Sequence, residues 1–293
     1  MSATRPFSQR VRRATFLVSC AIGALLATAS WLKAHDFWLV PGAFPFTAGS
    51  AVEVLGQTSV RFPTSASPVA IARVAKAVIV DAAGTSTPVT DLSHRGTSLL
   101  LRARPTKAGQ YVVAADLQPR SARQTGEGLL RYLRLEGAPD AAARIEREGQ
   151  LVATDSVTRT DAKYAKTLVD VGTRGARAFT RSAGQPIEFM PERDPAQLRA
   201  GDTLRLRLLF RGEPVAGISA HAGVAPRGGV AADTAAPRDP DLHVTADAQG
   251  VLRLPITRTG LWNIRTIHVV PAGSSTWETH WATLVFVAGR TKP

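Results

Sequence analysis

Alternation between apolar and polar residues dominates two regions of the chain. Apolar and polar residues alternate over parts of the stretches AVEVLGQTSV and QYVVAADL in the first half, and of DTLRLRLLF and TWETHWATLVF in the second. A period of two is typical of half-buried strands, and clusters of Gly and Pro separate these stretches. The pattern predicts an all-β protein built from antiparallel β-sandwiches.

A helical pattern interrupts the strands in the middle of the chain. Leu129, Leu130 and Leu133 recur at helical spacing, and Gly137 supplies a stop in the left-handed conformation. A second helix is predicted over residues 139–149, where proline stands at the start and glycine follows the end.

The helical excursion, about residues 126–170, interrupts the first of two expected domains. We predict an N-terminal immunoglobulin-like β-sandwich over residues 35–183, which contains this excursion, and a second β-sandwich over residues 184–293. The turn PTKAG between two apolar strands is typical of the hairpins in immunoglobulin-like modules.

Residues 1–34 have the layout of a secretory signal peptide. Basic residues precede an uncharged segment whose central apolar run, FLVSCAIGALLATA, is short for a membrane-spanning helix and ends in small residues. Cleavage fits after Ala29 or after Ala34, and the second site makes His35 the first mature residue. We expect a periplasmic protein whose mature chain has no transmembrane span.

After removal of residues 1–34, the composition limits the possible metal ligands and lowers the net charge. Cys20 is the only cysteine, so the mature chain has no thiol, and a metal ion needs nitrogen or oxygen ligands. Five of the 36 basic residues and none of the 23 acids precede residue 35, which lowers the net charge from +13 to +8. Because basic runs and recognition motifs are missing, no nucleic acid partner is expected.

Several segments together resemble a known family. AHDFWL after the signal, GLLRYLRLEG, AKYAKTLVDVG, GQPIEFMPERDP and GLWNIRTIHVV are similar to an uncharacterised periplasmic family once assigned to nickel uptake, the NikM-like proteins. The resemblance covers most of the mature chain. It implies two β-sandwich modules, the second like transthyretin-type domains, and a role in handling metal.

The final hairpin carries candidate metal ligands. Pairing Val270 with Thr276 across the loop PAGSS places His268, Glu278 and His280 on one face of the hairpin. A shift of the pairing by one residue separates the two histidines.

The mature N-terminus is the other predicted contributor to this site. After cleavage at Ala34, the amine and ring nitrogen of His35 can chelate one ion. The alternative is that HDFWL is only the first strand, with Phe37 or Trp38 in the core. The predicted ion is nickel, cobalt or copper, and the predicted ligands are His35, His268, His280 and Glu278. Surface or structural roles are expected for His94, His221 and His243.

Three functions stay open at this point. The leading hypothesis is a non-enzymatic exported protein that binds a transition metal and buffers it or delivers it to an inner-membrane transporter. A second is an interaction module for a membrane protein, glycan or cell-wall component, with Trp277 and Trp281 exposed opposite the core. A third is a copper oxidase with an N-terminal-histidine site. Phosphate-loop and nucleophile motifs are missing, and Glu188 and Glu192 are interpreted as solvated acids.

We expect the exported protein to begin at Ser30 or at His35, because small residues precede both positions. N-terminal sequencing of protein recovered from the periplasm distinguishes the two cleavage sites. A recovered chain that still begins at Met1 would contradict the signal peptide.

Overall fold

The computed structural model of this protein describes residues 36–172, 174–226 and 241–289. The predicted signal peptide and His35 lie outside the described residues. Strands make up most of the described chain, which confirms the prediction of a mostly β protein with several sheets.

Sixteen strands and two α-helices form the described part of the fold. The strands are β1 (Asp36–Pro41), β2 (Val52–Ser59), β3 (Val74–Val80), β4 (Ser86–Pro88), β5 (Asp91–Arg95), β6 (Ser98–Ala103), β7 (Gly109–Thr125), β8 (Ser156–Val171), β9 (Ile187–Pro191), β10 (Thr203–Phe210), β11 (Glu213–Pro214), β12 (Ser219–Val224), β13 (Leu242–Thr245), β14 (Val251–Pro255), β15 (Gly260–Pro271) and β16 (Thr276–Ala288). The helices are α1 (Gly126–Leu135) and α2 (Pro139–Arg147), and both lie between β7 and β8.

The strands are arranged in three sheets. An N-terminal sheet has the order β1-β2-β6-β5, and a C-terminal sheet groups β9, β11 and β14 around β10. The central sheet has the order β13-β12-β15-β16-β8-β7-β3-β4. Its neighbours are antiparallel except β8 and β16, which are parallel. Strands from both predicted domains therefore belong to one sheet, and the boundary at residue 183 stays a prediction.

The central sheet has a hydrophobic core on each face, because successive side chains of a strand point in opposite directions. Odd-numbered residues such as Val113 and Val169 share a core with Leu101 of the N-terminal sheet. Even-numbered residues such as Phe286 share the other core with Leu206 of the C-terminal sheet. The protein is thus three sheets deep, and the central sheet belongs to both sandwiches.

Both helices form in the predicted region, although each ends slightly earlier than the pattern indicated. Thr125 caps α1 by accepting a hydrogen bond from the backbone N–H of Gly128 at 3.0 Å. The buried side chains of α1 include Leu129 and Leu133. In α2, Pro139 occupies the first turn, where its missing N–H costs no helical hydrogen bond.

A buried ion pair joins the central sheet to β9. Nζ of Lys166 lies 2.8 Å from Oε2 of Glu188, and their side chains are 3% and 4% exposed. Glu188 also accepts hydrogen bonds from the backbone N–H groups of Ala183 and Gln185. The interpretation of Glu188 as a solvated acid is wrong, because these donors replace the water around its carboxylate. Glu192, by contrast, pairs with arginines at the surface.

Replacing Lys166 with Met is expected to lower the free energy of unfolding by about 3–5 kcal/mol, because it leaves the Glu188 carboxylate buried without its partner. Urea denaturation followed by circular dichroism measures this loss. Arg205→Met is the matched control. It removes a partner of the more exposed Glu192 and is expected to cost at most about 1 kcal/mol. Equal losses in the two variants would contradict the structural role of the buried pair.

Candidate metal site

The hairpin of β15 and β16 places two histidines directly opposite each other. His268 pairs with His280, and Val270 pairs with Glu278. The predicted pairing of Val270 with Thr276 is therefore wrong by two residues. Pairing continues beyond Pro271 because the backbone N–H of Ala272 donates to the carbonyl of Thr276 at 2.8 Å, which shortens the loop.

This correction does not change the face predicted for the three candidate ligands, His268, Glu278 and His280. Strand faces repeat every two residues, so a shift by two leaves each side chain on its expected side. His268, Glu278 and His280 all lie on the even-numbered face of the central sheet, the face that packs against the C-terminal sheet.

Aromatic side chains enclose the two imidazoles. Phe210, at the end of β10, has its ring centroid 4.6 Å from that of His268 and 4.9 Å from that of His280. Tyr164 of β8 stacks on His280 with an interplanar angle of 12°. Only 9% of His268 and 6% of His280 is exposed, so the pair is largely removed from water.

A carboxylate and an arginine flank the pair at its open side. Nε2 of His280 lies 3.1 Å from Oε2 of Glu278. Arg211 approaches the same oxygen, at 3.5 Å, from the turn between β10 and β11. This arginine has a φ of 54°, the left-handed region that non-glycine residues seldom occupy. The turn that carries Phe210 thus also places a positive charge beside Glu278.

Burial keeps both rings neutral at physiological pH. It lowers the pKa of His268 to about 4, and the charges of Arg144 and Arg211 act in the same direction. Burial also lowers the pKa of His280, although its hydrogen bond to Glu278 opposes the shift. Neutral imidazole is the form that binds metal ions.

Each ring has a buried nitrogen without a hydrogen bond. Nδ1 of His268 and Nδ1 of His280 find no partner among the described residues. An ionised carboxylate only accepts hydrogen bonds, so the contact with Glu278 places the hydrogen of His280 on Nε2. The lone pair of its Nδ1 is then left without a donor.

The remaining histidines have other surroundings. Nε2 of His94 lies 2.9 Å from the carbonyl oxygen of Val69. Nε2 of His221 lies 2.8 Å from the carbonyl oxygen of Gly137, and its ring contacts that of His243 edge-on at 4.1 Å. The structure does not bring these three to the hairpin site.

The first strand lies on the opposite face of the central sheet. Thr283, an odd-numbered residue of β16, donates to the carbonyl of Phe37 at 2.7 Å. Asp36 forms an ion pair with Arg265 of β15 at 3.2 Å. Both Phe37 and Trp38 are buried in β1. The predicted ligand His35 itself lies outside the described residues.

Trp277 and Trp281 are buried, so the prediction that they are exposed is wrong. Their exposed fractions are 2% and 3%. Tyr132 of α1 meets the ring of Trp281 edge-on at 6.5 Å, and Nζ of Lys163 lies 4.4 Å from the centre of that ring. The inserted helices cover the face that the strand pattern assigned to solvent.

Within residues 36–172, 174–226 and 241–289, no three His, Cys, Asp or Glu side chains are grouped around a common position for a metal ion. The described helices are also too short or too polar to cross a membrane.

Residues 32–270 match the family described as domain of unknown function DUF4198. The chain belongs to this family. The match confirms the predicted membership of an uncharacterised domain family. No curated protein matches the chain by sequence.

Several solved structures of other proteins have a partial likeness to this chain. Trypsin-activated α2-macroglobulin of Escherichia coli is 11% identical, with 86% of this chain and 15% of that chain covered and a TM-score of 0.24. The adhesin InvE of Yersinia pseudotuberculosis is 13% identical, with coverages of 84% and 58% and a TM-score of 0.19. The Escherichia coli adhesin FdeC is 15% identical, with coverages of 88% and 64% and a TM-score of 0.22. This chain spans less than two thirds of each, and the description of its fold rests on its own strands.

We expect the metal-free protein to lose stability as the pH falls from 6.5 towards 4. The pKa of His268 is lowered from 6.5 to about 4 in the folded state, so over this interval the unfolded chain binds a proton that the folded chain does not. At about 1.4 kcal/mol per pKa unit, protonation of His268 in the unfolded chain lowers the free energy of unfolding by about 2–3 kcal/mol at pH 4.5.

Urea denaturation at pH 7 and pH 4.5, for the wild type and for His268→Gln, measures this contribution. The variant should lose less stability between the two pH values than the wild type. The same loss in both proteins would contradict the buried, neutral state of His268.

Proposed function

We propose that the protein is exported to the periplasm, where it binds a transition metal ion (nickel, cobalt or copper) and buffers it or delivers it to an inner-membrane transporter. The observation that carries the proposal is the opposed pair His268 and His280, which are buried and neutral and whose Nδ1 atoms lack hydrogen bonds within the described chain.

The spacing of the two strands suits one ion between the rings. Directly opposed residues of an antiparallel pair have Cβ atoms about 4.5–5.5 Å apart. Two imidazole nitrogens bound to one ion, each with a bond of about 2.0 Å, lie at most about 4 Å apart. Small rotations of the side chains of His268 and His280 can therefore bring both to the same ion.

Glu278 supports this arrangement from the side. Its carboxylate accepts from Nε2 of His280, which fixes the ring so that Nδ1 is the metal-binding nitrogen. Carboxylates commonly orient ligand histidines in this way. Glu278 was also predicted as a direct ligand, and that role stays a prediction.

The role of His35 stays a prediction. Its neighbour Asp36 lies on the odd-numbered face, paired with Arg265, whereas His268 and His280 lie on the even-numbered face. The proposed site therefore rests on the hairpin histidines alone. Two protein ligands leave coordination positions open, which favours transfer of the ion to a partner over permanent storage.

We also propose a division of the chain into two domains. We take the chain to consist of an immunoglobulin-like sandwich over residues 35–183 and a transthyretin-like sandwich over residues 184–293. The larger core cluster on the odd-numbered face supports this division, since its buried residues all come from residues 37–171. A smaller cluster on that face joins Trp38 and Val40 to Leu261 and Val285 across the proposed boundary.

Titration calorimetry with Ni(II), Co(II) and copper tests the proposal on the exported protein. Wild-type protein is expected to bind one ion per chain. His268→Gln and His280→Gln should each weaken binding at least about tenfold, a change of about 1.4 kcal/mol. His94→Gln, a histidine that bonds a backbone carbonyl, should bind as the wild type does.

Two further variants refine this test. His35→Ala shows whether the N-terminal histidine takes part, and Glu278→Gln keeps the size of the side chain but removes its charge. If the wild type binds none of these ions, or if His268→Gln and His280→Gln bind them unchanged, the proposal is wrong.

A further inference from the structure

We propose that the ion held between His268 and His280 is univalent copper rather than a divalent ion. This inference rests on the metal-binding function proposed above. It comes from three properties of the site: the number of ligands, the charges around them and the rings that enclose them.

The number of ligands is the first argument. His268 and His280 are opposed on one face, and the described chain groups no third His, Cys, Asp or Glu with them around a common position. Zn(II) requires four ligands, and Ni(II) and Co(II) require four or more. Univalent copper has a filled d shell and forms stable complexes with two nitrogen ligands in a nearly linear arrangement.

The charge of the surroundings is the second argument. Arg144 donates a hydrogen bond to the backbone carbonyl of Val269, the residue after His268, at 3.3 Å, which brings a positive charge close to the site. Arg211 shares the carboxylate of Glu278, which reduces the negative charge that Glu278 offers to an ion. The cost of moving an ion from water into a buried site rises with the square of its charge, so a divalent ion is penalised far more than a univalent one.

The enclosing rings are the third argument. Phe210 packs against both imidazoles, at 4.6 and 4.9 Å between centroids, and Tyr164 stacks on His280. Aromatic rings attract cations and exclude water. With only two protein ligands, Ni(II), Co(II) or Zn(II) needs water molecules to reach four or more ligands, and the buried, ring-enclosed imidazoles leave little room for water.

Competition against a coloured Cu(I) chelator such as bicinchoninate, under anaerobic conditions with ascorbate, measures the affinity for univalent copper. We expect the full exported protein to withdraw one Cu(I) per chain. His268→Gln and His280→Gln should abolish this withdrawal, and His94→Gln should leave it unchanged. Ni(II), Co(II) and Zn(II), titrated separately, should bind at least about a hundredfold more weakly through the same two histidines.

A variant of the enclosing ring gives a second measurement that keeps both ligands. Phe210→Leu retains the imidazoles and an apolar side chain, and it should weaken Cu(I) binding about tenfold. Thermal denaturation of each variant checks that it is folded.

The outcomes separate this inference from the proposed function. If a divalent ion binds through His268 and His280 as tightly as Cu(I), the choice of univalent copper is wrong and the metal-binding function stands. If neither Cu(I) nor any divalent ion binds through these residues, both are wrong.

Discussion

The parallel pairing of β8 with β16 is the contact on which the rest of the fold depends. It runs from Thr158 beside Thr276 to Thr167 beside Val285, and it joins a strand of the first predicted domain to a strand of the second. On either side of this parallel pair, which we call the seam, β7 and β15 continue the sheet by antiparallel pairing. Each core needs this continuous layer as its wall. Lys166 lies within the seam and holds Glu188, which ties β9 of the C-terminal sheet to the same place.

Local sequence patterns predicted the local elements well, and they could not predict this seam. The capped helices and the antiparallel hairpins depend on residues close in sequence, so period and turn chemistry are sufficient to find them. The strands β8 and β16 are more than a hundred residues apart, and alternation within a strand carries no information about its neighbour. For the same reason, Lys166 and Glu188 gave no sign of burial: charged residues are rarely buried unless paired, and the partner lies on another strand.

The candidate site was likewise predictable from the sequence only in part. The shared face of His268, Glu278 and His280 follows from parity, which tolerates a pairing error of two residues. The enclosing Phe210 and the flanking Arg211 come from a different sheet, and nothing in the stretch LLFRGEP links them to the histidines. The burial of Trp281 was missed because a helix inserted far upstream covers its face, whereas a strand pattern only distinguishes one side from the other.

The alternation of β16 has a practical consequence for studying the site. Trp281 follows His280 directly, and the two side chains leave the strand on opposite faces. The indole is buried beneath α1, where dissolved quenchers have little access, while the imidazole faces the other core. The protein thus carries a native fluorophore on the strand directly beside a ring of the proposed metal site, and binding of an ion there is expected to change the intensity and lifetime of the indole emission without any attached dye.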